Sequence, residues 1–242
     1  MIFTAIFGAT ISPYLFFWQS SSEVEEEVQS GKIKDIGKGT PKNIGKKEIK
    51  KMKVDTAIGM GFAQIIMWSI MVTCAGSLHS HGITNIQTTD QAAKALEPLI
   101  KSFPNSGIIS KFIFAMGIIG TGLIGIPVLA ASCGYALSDA FRWKQGLHKT
   151  FKQAKSFYLV IAVASIIGVC INFVGINPIQ ALIYSSIISG IVSLPMIIFT
   201  IKIANDKSIL KNKTNSKKSN IIGWITVAIN SISIIVMLFT LK

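Results

Sequence analysis

The chain has 242 residues, half of them hydrophobic and 14% charged, with 24 Lys+Arg against 11 Asp+Glu and a net charge of +13. A soluble globular domain carries about 25% charged residues, and a disordered tail is poor in apolar side chains, so this composition excludes both an ordinary cytosolic enzyme and an unstructured segment. The apolar residues gather into long uncharged runs, which predicts an all-α integral membrane protein.

A hydrocarbon core of about 30 Å needs roughly 20 apolar residues as helix. Six runs answer that description, at residues 1–19, 54–77, 108–137, 157–174, 178–201 and 221–241, and together they predict one transmembrane domain over 1–242. The first run has no basic segment before it and passes into Glu23–Glu27 without a small-residue cleavage site, so a secretory signal is not expected.

In the middle of that first run stands Gly8-Ala9-Thr10-Ile11-Ser12-Pro13-Tyr14. Pro13 has no N–H, so the Ala9 carbonyl loses its helical partner. Pro13 also pushes Ser12 away from the α region, and Gly8 weakens the helix locally. A carbonyl left unsatisfied in hydrocarbon costs several kcal/mol unless it faces protein or a water-filled cavity. Something must therefore satisfy the Ala9 oxygen, and Thr10 and Ser12 set hydroxyls beside it. Discontinuous helices that free backbone oxygens are how secondary transporters build cation and substrate sites. The alternative is a proline kink repaired by neighbouring helices, and Pro127 and Pro195 are read that way.

The loops fix an expected orientation. Residues 20–53, 138–156 and 202–219 hold 20 of the 24 basic residues, whereas 78–107 has only Lys94 and Lys101. Positive charge marks the cytoplasmic side, which predicts a plasma-membrane protein with these three loops inside and the C-terminal Lys242 outside. Arg142, the single arginine of the chain, lies in the inner loop 138–156. A nucleic-acid partner is not expected, because the basic residues sit in loops between spans rather than beside groove-reading elements. The lipid bilayer, with its anionic headgroups, accounts for them. The loop 20–53 turns from acidic to lysine-rich and is expected to be solvated and partly helical.

The remaining features read as packing. Gly117, Gly120, Gly122 and Gly125 are small residues that let helices approach. Cys74, Cys133 and Cys170 form no CxxC pair and read as small buried residues. Asn172, Asn177, Gln180, Ser185, Ser186 and Asn230 are expected to hydrogen-bond between helices. Trp18, Trp68, Trp143 and Trp224 suit interface anchors. His79 and His81 have no third ligand and read as loop residues. No catalytic motif is present, so neither an enzyme nor a cofactor is expected.

The run IFGATISPYLFFWQSSSEVEEE resembles the sixth transmembrane helix of the natural resistance-associated macrophage protein (Nramp) family of divalent-metal transporters. The stretches VDTAIGMGFAQ, LHSHGITNIQT, GTGLIGIPVLAASCGYAL and FVGINPIQAL resemble a prokaryotic branch of that family, in order and at similar spacing. The resemblance implies helices six to eleven of an eleven-helix, LeuT-like inverted-repeat fold whose first half is missing. Where the family motif reads Gly-Ala-Thr-Val-Met-Pro-His, Ser12 replaces the methionine and Tyr14 the histidine. In the family a backbone carbonyl matching Ala9 and the methionine sulfur ligate the metal; only the carbonyl role carries over. The implied metal site is Ala9, Thr10, Ser12 and Tyr14, with Ser186 best matching a glutamine of the tenth helix. Oxygen donors suit Mg²⁺ or Mn²⁺ better than softer ions, and without the histidine proton coupling does not carry over.

The family's charged ligand, an aspartate on its first helix, has no counterpart in this chain, and a divalent cation held without a carboxylate is poorly neutralised. Half a site is therefore expected, either in the C-terminal portion of a transporter or in a chain paired with a separately encoded N-terminal half. Two alternatives stand beside divalent-metal transport. One is an organic-substrate (amino-acid) transporter of the same architecture, which Ser12 and Tyr14 permit; the other is a truncated, non-transporting membrane fragment.

Overall fold

The structure, a computed structural model, describes residues 2–36, 45–77, 86, 88–93, 105–210 and 213–240. Among these residues there are nine helices and no strand: α1 (Ile2–Ile11), α2 (Tyr14–Gln29), α3 (Lys46–Ser77), α4 (Thr89–Ala93), α5 (Ser106–Phe141), α6 (Lys155–Phe173), α7 (Pro178–Asn205), α8 (Lys207–Leu210) and α9 (Lys217–Thr240). Four segments are long and apolar enough to cross a membrane: Lys47–Ser77, Ser106–Phe141, Pro178–Asn205 and Lys217–Thr240. They coincide with four of the six expected runs. The fourth run forms α6, whose apolar part, Lys155–Ile171, is shorter. The first run is not one helix but two, α1 and α2, and α2 carries on through the acidic stretch to Gln29. His79, His81, Lys94 and Lys101 lie outside the described residues.

The chain divides into two compact units. The first comprises Met1–Ser21, Ala131–Trp143 and Ser156–Lys242, and its centre is the packing of α1 on α7 and α9. Two glycines make that packing close. A Cβ on Gly8 would lie 1.8 Å from the Ser186 carbonyl oxygen and 2.4 Å from the Gly190 nitrogen; one on Gly190 would lie 2.5 Å from the Thr4 oxygen. The backbones of α1 and α7 thus touch, as small residues at helix crossings in membranes allow.

Polar side chains tie the same three helices together. The fully buried Thr4 hydroxyl lies 3.1 Å from Ser233 Oγ and donates to the Ser233 carbonyl at 3.2 Å. Asn230 Nδ2 donates to Ser193 Oγ at 2.8 Å, and Ser193 Oγ donates to the Gly190 carbonyl at 2.8 Å. This is the interhelical bonding expected of Asn230. Other polar residues behave differently: Asn177 caps α7 by accepting from the Ile179 N–H at 2.9 Å, and Ser185 and Ser186 bond back to Leu182 within their own helix. At the far end of α7, Asn205 and Asn220 exchange amide hydrogen bonds of 2.8 and 2.6 Å, closing the α7–α9 connection.

A second cluster in this unit is aromatic. Gly134 lets the Phe157 ring approach to 3.0 Å of where a Cβ would be, and Tyr135, fully buried, stacks tilted on Phe157 with centroids 4.8 Å apart. Trp18 meets Tyr135 edge-on at 6.3 Å.

Two expectations are corrected. Among the described residues, a Cβ on Gly117, Gly120 or Gly125 would meet nothing within 4 Å and one on Gly122 only Ile126 of the same helix at 3.8 Å, so no described residue of another helix packs on this glycine row. Cys133 and Cys170 are exposed and Cys74 is half-buried, so none of the three is the buried packing residue expected. Composition identifies small residues in a span, but not which side of the helix meets a neighbour.

The second unit comprises Ser22–Ala130 and Lys144–Lys155. Carboxylates organise its polar segments. Glu25 is buried and accepts from the Leu147 and His148 N–H groups, while Lys149 pairs with Asp35 at 2.6 Å. Lys32 pairs with Glu48, and Lys111 with Asp90 at 2.7 Å.

Candidate functional site at the helix break

The break between α1 and α2 has a defined geometry. Ser12 adopts φ +46°, the left-handed conformation that ends many helices and that glycine normally supplies. Its N–H donates to the Gly8 carbonyl at 3.0 Å, closing the last turn of α1. Pro13 follows, and α2 restarts with Leu15 N–H donating to the Ser12 carbonyl at 2.9 Å and Phe16 N–H to the Pro13 carbonyl at 3.2 Å. A proline at this point suits the start of the second helix, where an N–H would have no helical partner.

The Ala9 carbonyl does lose its backbone donor to Pro13, but it is not stranded. The Ser12 hydroxyl donates to it at 2.6 Å. The partner that the Ala9 oxygen needs is thus supplied by the break itself, and the oxygen is not left bare toward a solute. A carbonyl oxygen has two lone pairs, so one hydrogen bond leaves it able to take a second partner. The Ser12 oxygen, having donated its proton, still has lone pairs of its own.

The other expected residues fall around this pair in different ways. Ser186 is brought to α1 through Gly8, the neighbour of Ala9, against which its backbone carbonyl sits. Its hydroxyl, however, donates within α7 to Leu182 at 2.7 Å. The Thr10 hydroxyl likewise donates back along its own helix, to the Ile6 carbonyl at 2.7 Å. Tyr14 opens α2 and is half-buried. Ala9 and Ser12 are thus in direct contact, and the Ser186 backbone meets the residue next to Ala9 from the facing helix.

The donors gathered here are neutral oxygens. Among the described residues, no group of three or more His, Cys, Asp or Glu side chains could hold a metal ion. Carboxylates instead collect in the second unit, around a cavity of about 400 Å³ lined by Glu23, Glu26, Glu27, Lys32, Glu48 and Asp55. There, partial burial first, and then repulsion from Glu26, Asp55 and Glu27, raise the Glu23 carboxyl above its usual range. The hydrogen bond to Glu48 raises Lys32 in turn.

Sequence reasoning missed Thr4, Gly190, Ser193 and Ser233 as the residues that fix α1 in place. A signal was available: Thr4/Gly8 and Ser186/Gly190 each set small residues four apart on one helix face, the spacing that permits close crossing in membranes.

The family model for natural resistance-associated macrophage protein-like proteins matches residues 1–240 of the chain. The divalent metal cation transporter MntH of Klebsiella pneumoniae (strain 342) is 22% identical over 230 residues, which cover 93% of this chain and 47% of that protein. The chain thus spans about half the length of that curated relative. With the family match extending from the start of the first helix to the end of α9, the chain belongs to the natural resistance-associated macrophage protein-like (Nramp) family.

Proposed function

We propose that the chain forms part of a secondary transporter that moves divalent metal cations across the plasma membrane, with Mg²⁺ or Mn²⁺ preferred over Fe²⁺ or Cd²⁺. The observation that carries this reading is the family match over residues 1–240; the helix broken by Pro13, with the Ser12 hydroxyl and Ala9 carbonyl oxygen 2.6 Å apart, supports where the cation is placed. Family membership and the divalent-metal transport for which MntH is named suggest the reaction class. The donors supply the preference, because oxygen ligands suit hard cations and a thioether would suit softer ones.

In this reading the cation is ligated by the Ala9 carbonyl and the Ser12 hydroxyl, with Thr10, Tyr14 and Ser186 completing a wet, oxygen-lined site. Mg²⁺ fits such a site because it gives up its water reluctantly. The neutralising carboxylate comes from residues outside this chain's own set, whether on the same polypeptide or on a separately encoded N-terminal half. The loops 20–53, 138–156 and 202–219 face the cytoplasm and the C-terminus lies outside, following the distribution of positive charge. Six spans in a LeuT-like arrangement accommodate this, with α1 and α2 as the two halves of a discontinuous helix.

Uptake competition in cells or proteoliposomes tests the proposal. Mg²⁺ and Mn²⁺ are expected to be taken up and to compete with each other, with Cd²⁺ a poor competitor. Strong Cd²⁺ uptake that Mg²⁺ does not diminish would contradict the preference. Uptake of an amino acid with no response to any divalent ion would replace the reading altogether.

A further inference from the structure

We propose that Glu25 is an internal latch, holding the loop between α5 and α6 against the end of α2. In the second unit the loop is folded around this one carboxylate. Leu147 N–H donates to Glu25 Oε1 at 2.8 Å, and His148 N–H donates to Oε2 at 3.2 Å. The His148 ring nitrogen Nδ1 stands 3.3 Å from the same Oε2. Successive backbone N–H groups pointing at one anion form a concavity that favours negative charge. Here the anion is the protein's own side chain, whose carboxylate is only 8% exposed.

The loop's conformation serves that contact. Gly146 has φ +128°, and a Cβ on it would lie 2.5 Å from the His148 ring and 3.1 Å from Glu25 Oε1. Only glycine lets the turn close on the acid. A second clasp lies beside the first. α2 ends with Gly31 at φ +72°, Gly31 N–H donating to the Val28 carbonyl at 3.0 Å and Lys32 N–H to the Glu27 carbonyl at 2.9 Å. This doubly bonded helix end turns the chain back, and Asp35 takes Lys149 at 2.6 Å. Two of the contacts that hold the loop are thus a buried carboxylate hydrogen-bonded to backbone and a partly buried ion pair. Glu25 is the more buried of the two acids, 8% exposed against 29% for Asp35, so water competes least for its bonds, and the loop opens when Glu25 lets go. The latch concerns this loop's opening and does not depend on which ion, if any, the protein carries.

Hydrogen–deuterium exchange of the full chain in nanodiscs tests it. The Leu147 and His148 amides are expected to exchange slowly in the unmodified protein. E25A should accelerate them at least about tenfold, since two charge-assisted bonds are lost, and E25Q should do so to a lesser degree. G146A should accelerate the same amides with the acid intact, whereas K149A should leave them slow. Unchanged exchange at Leu147 and His148 in E25A, with α9 amides still protected, overturns the proposal. If E25A loses its α9 protection, E25Q and G146A give the same reading, and unchanged amides in both overturn it equally.

Discussion

Ser12 occupies a backbone conformation that costs a non-glycine residue about 1–2 kcal/mol, and its hydroxyl offsets part of that by capping Ala9. Two substitutions separate these effects. S12A keeps the strain and removes the bond, so it should destabilise the protein by about 1 kcal/mol. S12G removes both and should be nearly neutral, which thermal unfolding followed by circular dichroism would report. Equal losses for the two variants would mean that the bond, not the conformation, is all that Ser12 contributes. Glu23 gives a pH prediction. Its raised carboxyl binds a proton more readily in the folded than in the unfolded state, so its contribution to stability falls as pH rises from the ordinary carboxylate range through the raised value. E23Q should therefore stabilise the protein at neutral pH, and the gain should disappear on acidification. A gain that persists at acid pH would point to something other than charge repulsion from Glu26, Asp55 and Glu27.

At the scale of elements, the crossing of α1 and α7 depends on Gly8 and Gly190. G8A or G190A drives a methyl group into backbone that cannot yield locally, and should cost about 3 kcal/mol. G117A, with open space at its Cβ, should change stability by no more than about 0.5 kcal/mol. Comparable losses from both would restore a packing role to the α5 glycines. The contrast shows what can be read in advance. Apolar runs and basic loops locate the long helices, because burial in lipid demands length and uncharged composition. The missing N–H of Pro13 locates the break. Which of the neighbouring Thr10 and Ser12 hydroxyls caps the Ala9 oxygen is not legible, because it depends on Ser12 entering a conformation that serine rarely adopts. The glycine contacts are hidden for another reason: periodicity shows which residues share a face, not which face meets which helix.

Taken as a whole molecule, the chain combines family membership over residues 1–240 with a helix break that presents neutral oxygens, the site proposed above. In the proposed reading, a divalent cation there needs charge from elsewhere and finds no sulfur at Ser12, where the family motif has methionine. X-ray absorption on the Mn²⁺-loaded protein, purified with any partner that accompanies it, tests this most directly. The account predicts oxygen neighbours alone around the metal, with a sulfur neighbour appearing in S12M. A sulfur neighbour in the unmodified protein, or a metal environment that S12M leaves unchanged, would contradict it.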